Sequence, residues 1–105
     1  MNEIIYPEER EMRKIQKKIT KKDFRDIIDA IEKFLQDGDP SSPFGSRIKD
    51  LQNQYRFPQY RLRSGDFRVL YNVETRLLGS DIVYIIDIIP KKEWDMWLRT
   101  YGVKK

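Results

Sequence analysis

Tyr60-Arg-Leu-Arg-Ser-Gly-Asp-Phe-Arg-Val-Leu-Tyr71 reads as a β-hairpin, two β-patterned runs joined by a Ser64-Gly65-Asp66 turn. Alternate residues of a strand share a face, so Arg61 and Arg63 project together while Tyr60 and Leu62 point the other way. Arg68 lies on the return strand, close to the turn and therefore near both. Guanidinium groups are planar, permanently charged donors that match phosphate oxygens. The hairpin is thus the first candidate site, and a phosphate-rich partner is the expectation.

Working outward, three β-patterned runs are expected: Tyr55 to Arg63, Phe67 to Val73 and Ile82 to Ile89, the last two separated by the polar stretch Glu74 to Ser80. Ile82-Val-Tyr-Ile-Ile-Asp-Ile-Ile89 is apolar on both faces, which predicts a central strand ended by Pro90. Toward the N-terminus, Asn2 to Tyr6 reads as a short strand. Pro7 with Glu8, Glu9 and Glu11 marks a helix start, followed by Met12, Ile15 and Ile19 at helical spacing. Thr20-Lys-Lys-Asp23 approximates a capping box and opens a second helix with an apolar stripe of Phe24, Ile27, Ile28, Ile31 and Leu35. That helix should stop near Asp37-Gly38, where glycine can take a left-handed cap, and Asp39 to Gly45 is a loop by composition. Lys91 to Tyr101 reads as a C-terminal helix closed by Gly102. The order predicts one α+β domain over residues 1–105: an N-terminal strand and a helical hairpin packed on one face of an antiparallel sheet, with a short C-terminal helix.

Composition narrows the chemistry. The net charge of +4 favours an anionic partner, either nucleic acid or an acidic protein. The 105 residues include no cysteine and no histidine, which excludes disulfides, thiolate chemistry, a Ser-His-Asp triad and a histidine zinc site. No metal or other cofactor is expected. The longest apolar run, Ile82 to Ile89, is far shorter than the roughly 20 residues of a membrane span. With no signal pattern at the N-terminus, a cytoplasmic location is expected.

Further cations surround the hairpin. Arg47 and Lys49 precede it, and Lys91, Lys92 and Glu93 follow the last strand, where side chains leave the sheet. The basic run Arg13 to Lys22 reads as the solvated side of an amphipathic helical pair; its functional version would be non-specific steering toward RNA. Most aromatic residues suit core packing, with Trp97 and Tyr101 the candidates for stacking on bases beside the arginines. The ordinary reading of an isolated strand arginine is protection of a sheet edge.

Arg47-Ile-Lys-Asp-Leu51, the hairpin from Tyr60 to Tyr71, Val83 to Ile89 and Pro90-Lys-Lys-Glu93 together resemble the RelE/ParE toxin superfamily, over nearly the whole chain. The hairpin, similar to that family's YR.R.GDYRV.Y pattern, is the most specific part. The resemblance implies the family's α+β fold and a type II toxin neutralised by a cognate antitoxin protein. On the RelE side it implies a metal-independent endoribonuclease that cuts mRNA on the ribosome and inhibits translation. On the ParE side it implies a DNA gyrase inhibitor, and a catalytically inactive member that binds only its antitoxin is a third possibility. Carried over residue by residue, Arg61, Arg63, Arg68 and Lys92 match basic family positions; Glu93 or Lys92 would serve as proton acceptor, because arginine is a poor one. Arg47, Lys49, Lys91, Trp97 and Tyr101 would contact RNA. Proline at position 90 replaces the family's usual glycine, and its late tyrosine has no clean partner here.

Overall fold

A computed structural model describes residues 1–42 and 47–105; of the expected loop Asp39 to Gly45, the part from 43 onward lies outside the described residues. The helical hairpin forms as its capping signals direct. Helix α1 (Glu9–Lys17) carries Glu9 and Glu11 in its first turn, and α2 (Lys21–Ala30) starts at Thr20, whose Oγ1 accepts a hydrogen bond from the Asp23 N–H at 3.1 Å. α2 runs on into a wider π-helical stretch, Ile31–Gln36, at whose end the Asp37 N–H reaches the Glu32 carbonyl. Gly38 does not take the left-handed conformation expected of a cap. Glycine is needed there for proximity instead, since a Cβ would stand 2.8 Å from the Phe34 carbonyl oxygen.

The strands are β1 (Glu3–Ile5), β2 (Ile48–Asp50), β3 (Tyr55–Phe57), β4 (Tyr60–Ser64), β5 (Phe67–Glu74), β6 (Ile82–Pro90) and β7 (Val103–Lys104). Five of them form one sheet in the order β1-β6-β5-β4-β2, and β3 pairs with β7 in a small second sheet. The main sheet is mixed rather than antiparallel, because β1 lies parallel to β6 with Glu3 opposite Ile82 and Ile5 opposite Tyr84. β1 is joined to the rest through two helices, a connection long enough to let strands run the same way, whereas the tight β4–β5 turn enforces antiparallel pairing and the short loop from β5 to β6 permits it. The centre of the sheet is β5, with β6 beside it. The expected run Tyr55 to Arg63 is two strands, since Pro58 has no N–H for the ladder and the next amide, Gln59 N–H, donates to the Asn72 side chain. Gly65 makes the β4–β5 turn at φ +56°, a conformation glycine adopts without penalty.

Two apolar layers sandwich the sheet. On one face Ile15, Ile27, Ile31 and Leu35 of the helical hairpin bury against Leu62, Val69, Tyr71, Val83, Ile85 and Ile88. The opposite face is covered over part of its extent by helix α3 (Trp94–Tyr101), where Trp97 packs on Leu70 and Ile89. The helices therefore occupy both faces, not one. This follows from the double-sided apolar character of β6, which leaves a second face to bury. Trp97 is fastened as well as packed: its Nε1–H donates to Asp87 Oδ2 at 2.8 Å, while Asp87 Oδ1 accepts from the Ile88 N–H at 2.8 Å. Among the described residues, no helix is long and apolar enough to cross a membrane.

Candidate nucleic-acid interface

Strand register decides which cations meet. Arg63 stands opposite Arg68 across β4 and β5, and Arg61 stands opposite Lys49 across β4 and β2. Alternation puts all four on the face away from the helical hairpin, since the intervening Leu62 and Val69 are buried on the hairpin side. Lys49 and Arg63 are exposed, Arg61 is half-buried, and Arg68 is only 6% exposed. The Arg68 Nη1 donates to the Gly65 carbonyl at 3.0 Å and the Phe67 carbonyl at 2.8 Å, so this guanidinium also braces the turn.

The cluster is short of negative charge. Among the described residues, no carboxylate comes within salt-bridge distance of Arg61 or Arg68; the ion pairs present are Arg13 with Glu9, Lys14 with Glu11 and Arg76 with Glu3. Burial draws the Arg61 guanidinium below its ordinary pKa, and the charges of Arg68 and Arg63 push it the same way. Arg68 is lowered by burial and by Arg63, against the opposing pull of Asp66. The buried Nε of Arg61 has no hydrogen-bond partner. A guanidinium stays protonated through such shifts, so the outcome is a set of like charges held close together, with donor capacity to spare. An oxyanion would relieve the repulsion among these guanidiniums.

The other expected residues divide. Arg47 places its guanidinium 4.9 Å from the centre of the Phe34 ring, on the helical layer, and is not brought to the cluster. Lys91 and Lys92 line a cleft of about 420 Å³ together with Asp66, Phe67 and Lys18, on the helical side of the same turn. Glu93 lies at the groove between α1 and α3, past the edge of β6 and on the far side of that strand from β4 and β5. Trp97 is 8% exposed, stacked between neighbouring rings and bonded to Asp87, which leaves no free face for a base. Tyr101 is 60% exposed, but it shares the Glu93 groove rather than the arginine face.

Two residues of consequence are weakly marked in the sequence. Asp87 is the lone acid in an otherwise apolar strand, and that isolation was its signal. Lys18 sat inside a basic run with nothing in the spacing to mark it apart from its neighbours. Among the described residues, no group of three or more acidic side chains is arranged to hold a metal ion. In comparisons with known proteins, the chain matches no family model, no curated protein and no solved structure.

Proposed function

We propose that this protein is the toxin of a type II toxin-antitoxin system and cuts mRNA on the ribosome without a metal ion. The observation that carries the proposal is the face formed by Lys49, Arg61, Arg63 and Arg68, where like charges are gathered and no carboxylate pairs with Arg61 or Arg68. The scissile phosphate would sit on that face. As the 2′-oxygen bonds to phosphorus and the P–O5′ bond breaks to release the 5′-oxygen, negative charge builds on the phosphoryl oxygens, and guanidiniums already fixed in place stabilise it without reorganising. Arg68 is fixed by its two carbonyl contacts. The antitoxin would cover the same face with acidic side chains.

One observation favours a second reading. Neither Lys92 nor Glu93, the expected proton acceptors, lies on the arginine face, which suits a gyrase inhibitor or an inactive relative that binds only its antitoxin. Induced expression in a bacterial host separates these readings. Protein synthesis, followed by pulse labelling, should stop while plasmid supercoiling persists. Loss of supercoiling with continued protein synthesis would assign the gyrase activity, and undisturbed growth at high expression would assign the inactive form.

A further inference from the structure

The Ser64-Gly65-Asp66 turn has cations on both of its sides, and on the helical side a neighbouring pocket at the turn is lined by Asp23 and Asp26 as well. On one lies the arginine face; on the other, Lys18 at the end of α1 meets Lys91 and Lys92 at the end of β6 across a cleft whose floor is Phe67 and Pro90. The two regions share one short stretch of backbone. Arg68 bonds the Gly65 and Phe67 carbonyls, and the Lys91 N–H donates to the Asp66 carbonyl at 2.7 Å between them. All three lysines are exposed and, among the described residues, none is in an ion pair. Asp66 is the single acid lining the cleft, so three positive charges face one negative.

We propose that this cleft is a second phosphate site, in which Lys18, Lys91 and Lys92 hold single-stranded RNA at a phosphate neighbouring the one on the arginine face. The inference rests on the reading of the protein as an RNA-cutting toxin and extends it to the path of the strand, which bends around the hairpin tip. Lysine suits the outer position. It offers a mobile point charge that follows a backbone without demanding one geometry, while the planar arginines suit the phosphate to be fixed. The apolar floor of Phe67 and Pro90 gives a ribose or base a surface to rest on. Lys18 is thereby separated from the rest of its basic run: Lys17, its neighbour on the helix, does not line the cleft.

The test uses fluorescence anisotropy of the full chain with labelled oligouridylates of about two and about ten nucleotides, across a salt series. Wild type should show the steeper salt dependence with the longer oligomer. Lys18→Ala should weaken binding of the longer oligomer about threefold to tenfold and flatten its log–log salt slope by about 0.7, the loss of one phosphate contact on a single strand. Lys17→Ala removes the same unit charge from the same helix and should change neither. Equal effects of the two variants, or no effect of Lys18→Ala, would overturn the second site and leave the arginine site standing. Failure of wild type to bind either oligomer would overturn both phosphate sites as holders of free RNA, whereas cutting on the ribosome stands or falls separately on cleavage of a translated message. Circular dichroism of each variant confirms that these exposed substitutions leave the fold intact.

Discussion

A guanidinium that bonds the Gly65 and Phe67 carbonyls while facing Arg63 serves the hairpin and the site together, and different substitutions of Arg68 separate the two roles. Arg68→Ala leaves two turn carbonyls without their donor and should destabilise the fold by about 1–3 kcal/mol in urea denaturation. Arg68→Lys keeps the charge but not the forked geometry, so it should lose less stability and still lose activity. Activity retained in Arg68→Lys would reduce the residue to a brace. Tyr71 offers a second test at this scale. Its hydroxyl donates to the Pro40 carbonyl at 2.7 Å, and burial holds the phenol far above its ordinary pKa, with Tyr60, Asp39 and Asp50 adding to the shift. The folded state therefore keeps a proton that the unfolded chain releases above about pH 10, so stability is fully present below that pH and falls as pH rises beyond it. Tyr71→Phe should lose about 1 kcal/mol at neutral pH, from the orphaned carbonyl, and show a shallower alkaline decline. An unchanged alkaline limb would assign the decline to other groups.

Among the elements, β6 joins the two layers, and Asp87 is the residue on which its outer edge depends. β1 pairs with β6 only from Ile82 to Tyr84, and beyond that point the Asp87 carboxylate occupies the Ile88 amide and anchors Trp97. An inward-turned acid of this kind blocks strand addition at an open edge. Asp87→Ala should destabilise the protein by about 2 kcal/mol or more, loosen α3 and promote self-association visible by light scattering. A monomeric variant of wild-type stability would refute the edge role. Much at this scale was legible in the sequence. The helical stripe from Phe24 to Leu35, the Thr20 cap and the hairpin alternation at Arg61 and Arg63 all rest on local periodicity, which the fold preserves. What escaped lacks a local signal. β2 and β7 are three and two residues long, too short to show alternation. The parallel pairing of β1 and the placement of α3 on the second face are decided by contacts distant in sequence. Pro58 was a visible warning that the run from Tyr55 was not one strand.

For the whole molecule, the sheet separates two tasks. One face buries the helical hairpin and supplies stability; the other, partly covered by α3, presents the arginine cluster. Part of the expected site was readable because strand alternation alone brings Arg61, Arg63 and Arg68 together, with Lys49 joining through β2. The remainder was not, because which side of β6 receives Glu93, and whether Trp97 is wet or dry, depend on how α3 docks. The central claim, that the arginine face cuts ribosome-bound mRNA, is tested most directly in a cell-free translation system. Primer extension maps cuts in a translated message, with naked RNA and the Arg63→Ala protein in parallel; Arg63 is exposed, so its loss spares the core. Cuts confined to ribosome-occupied codons, and lost in Arg63→Ala, are the expected result. An intact message in the presence of folded, concentrated wild-type protein would contradict it.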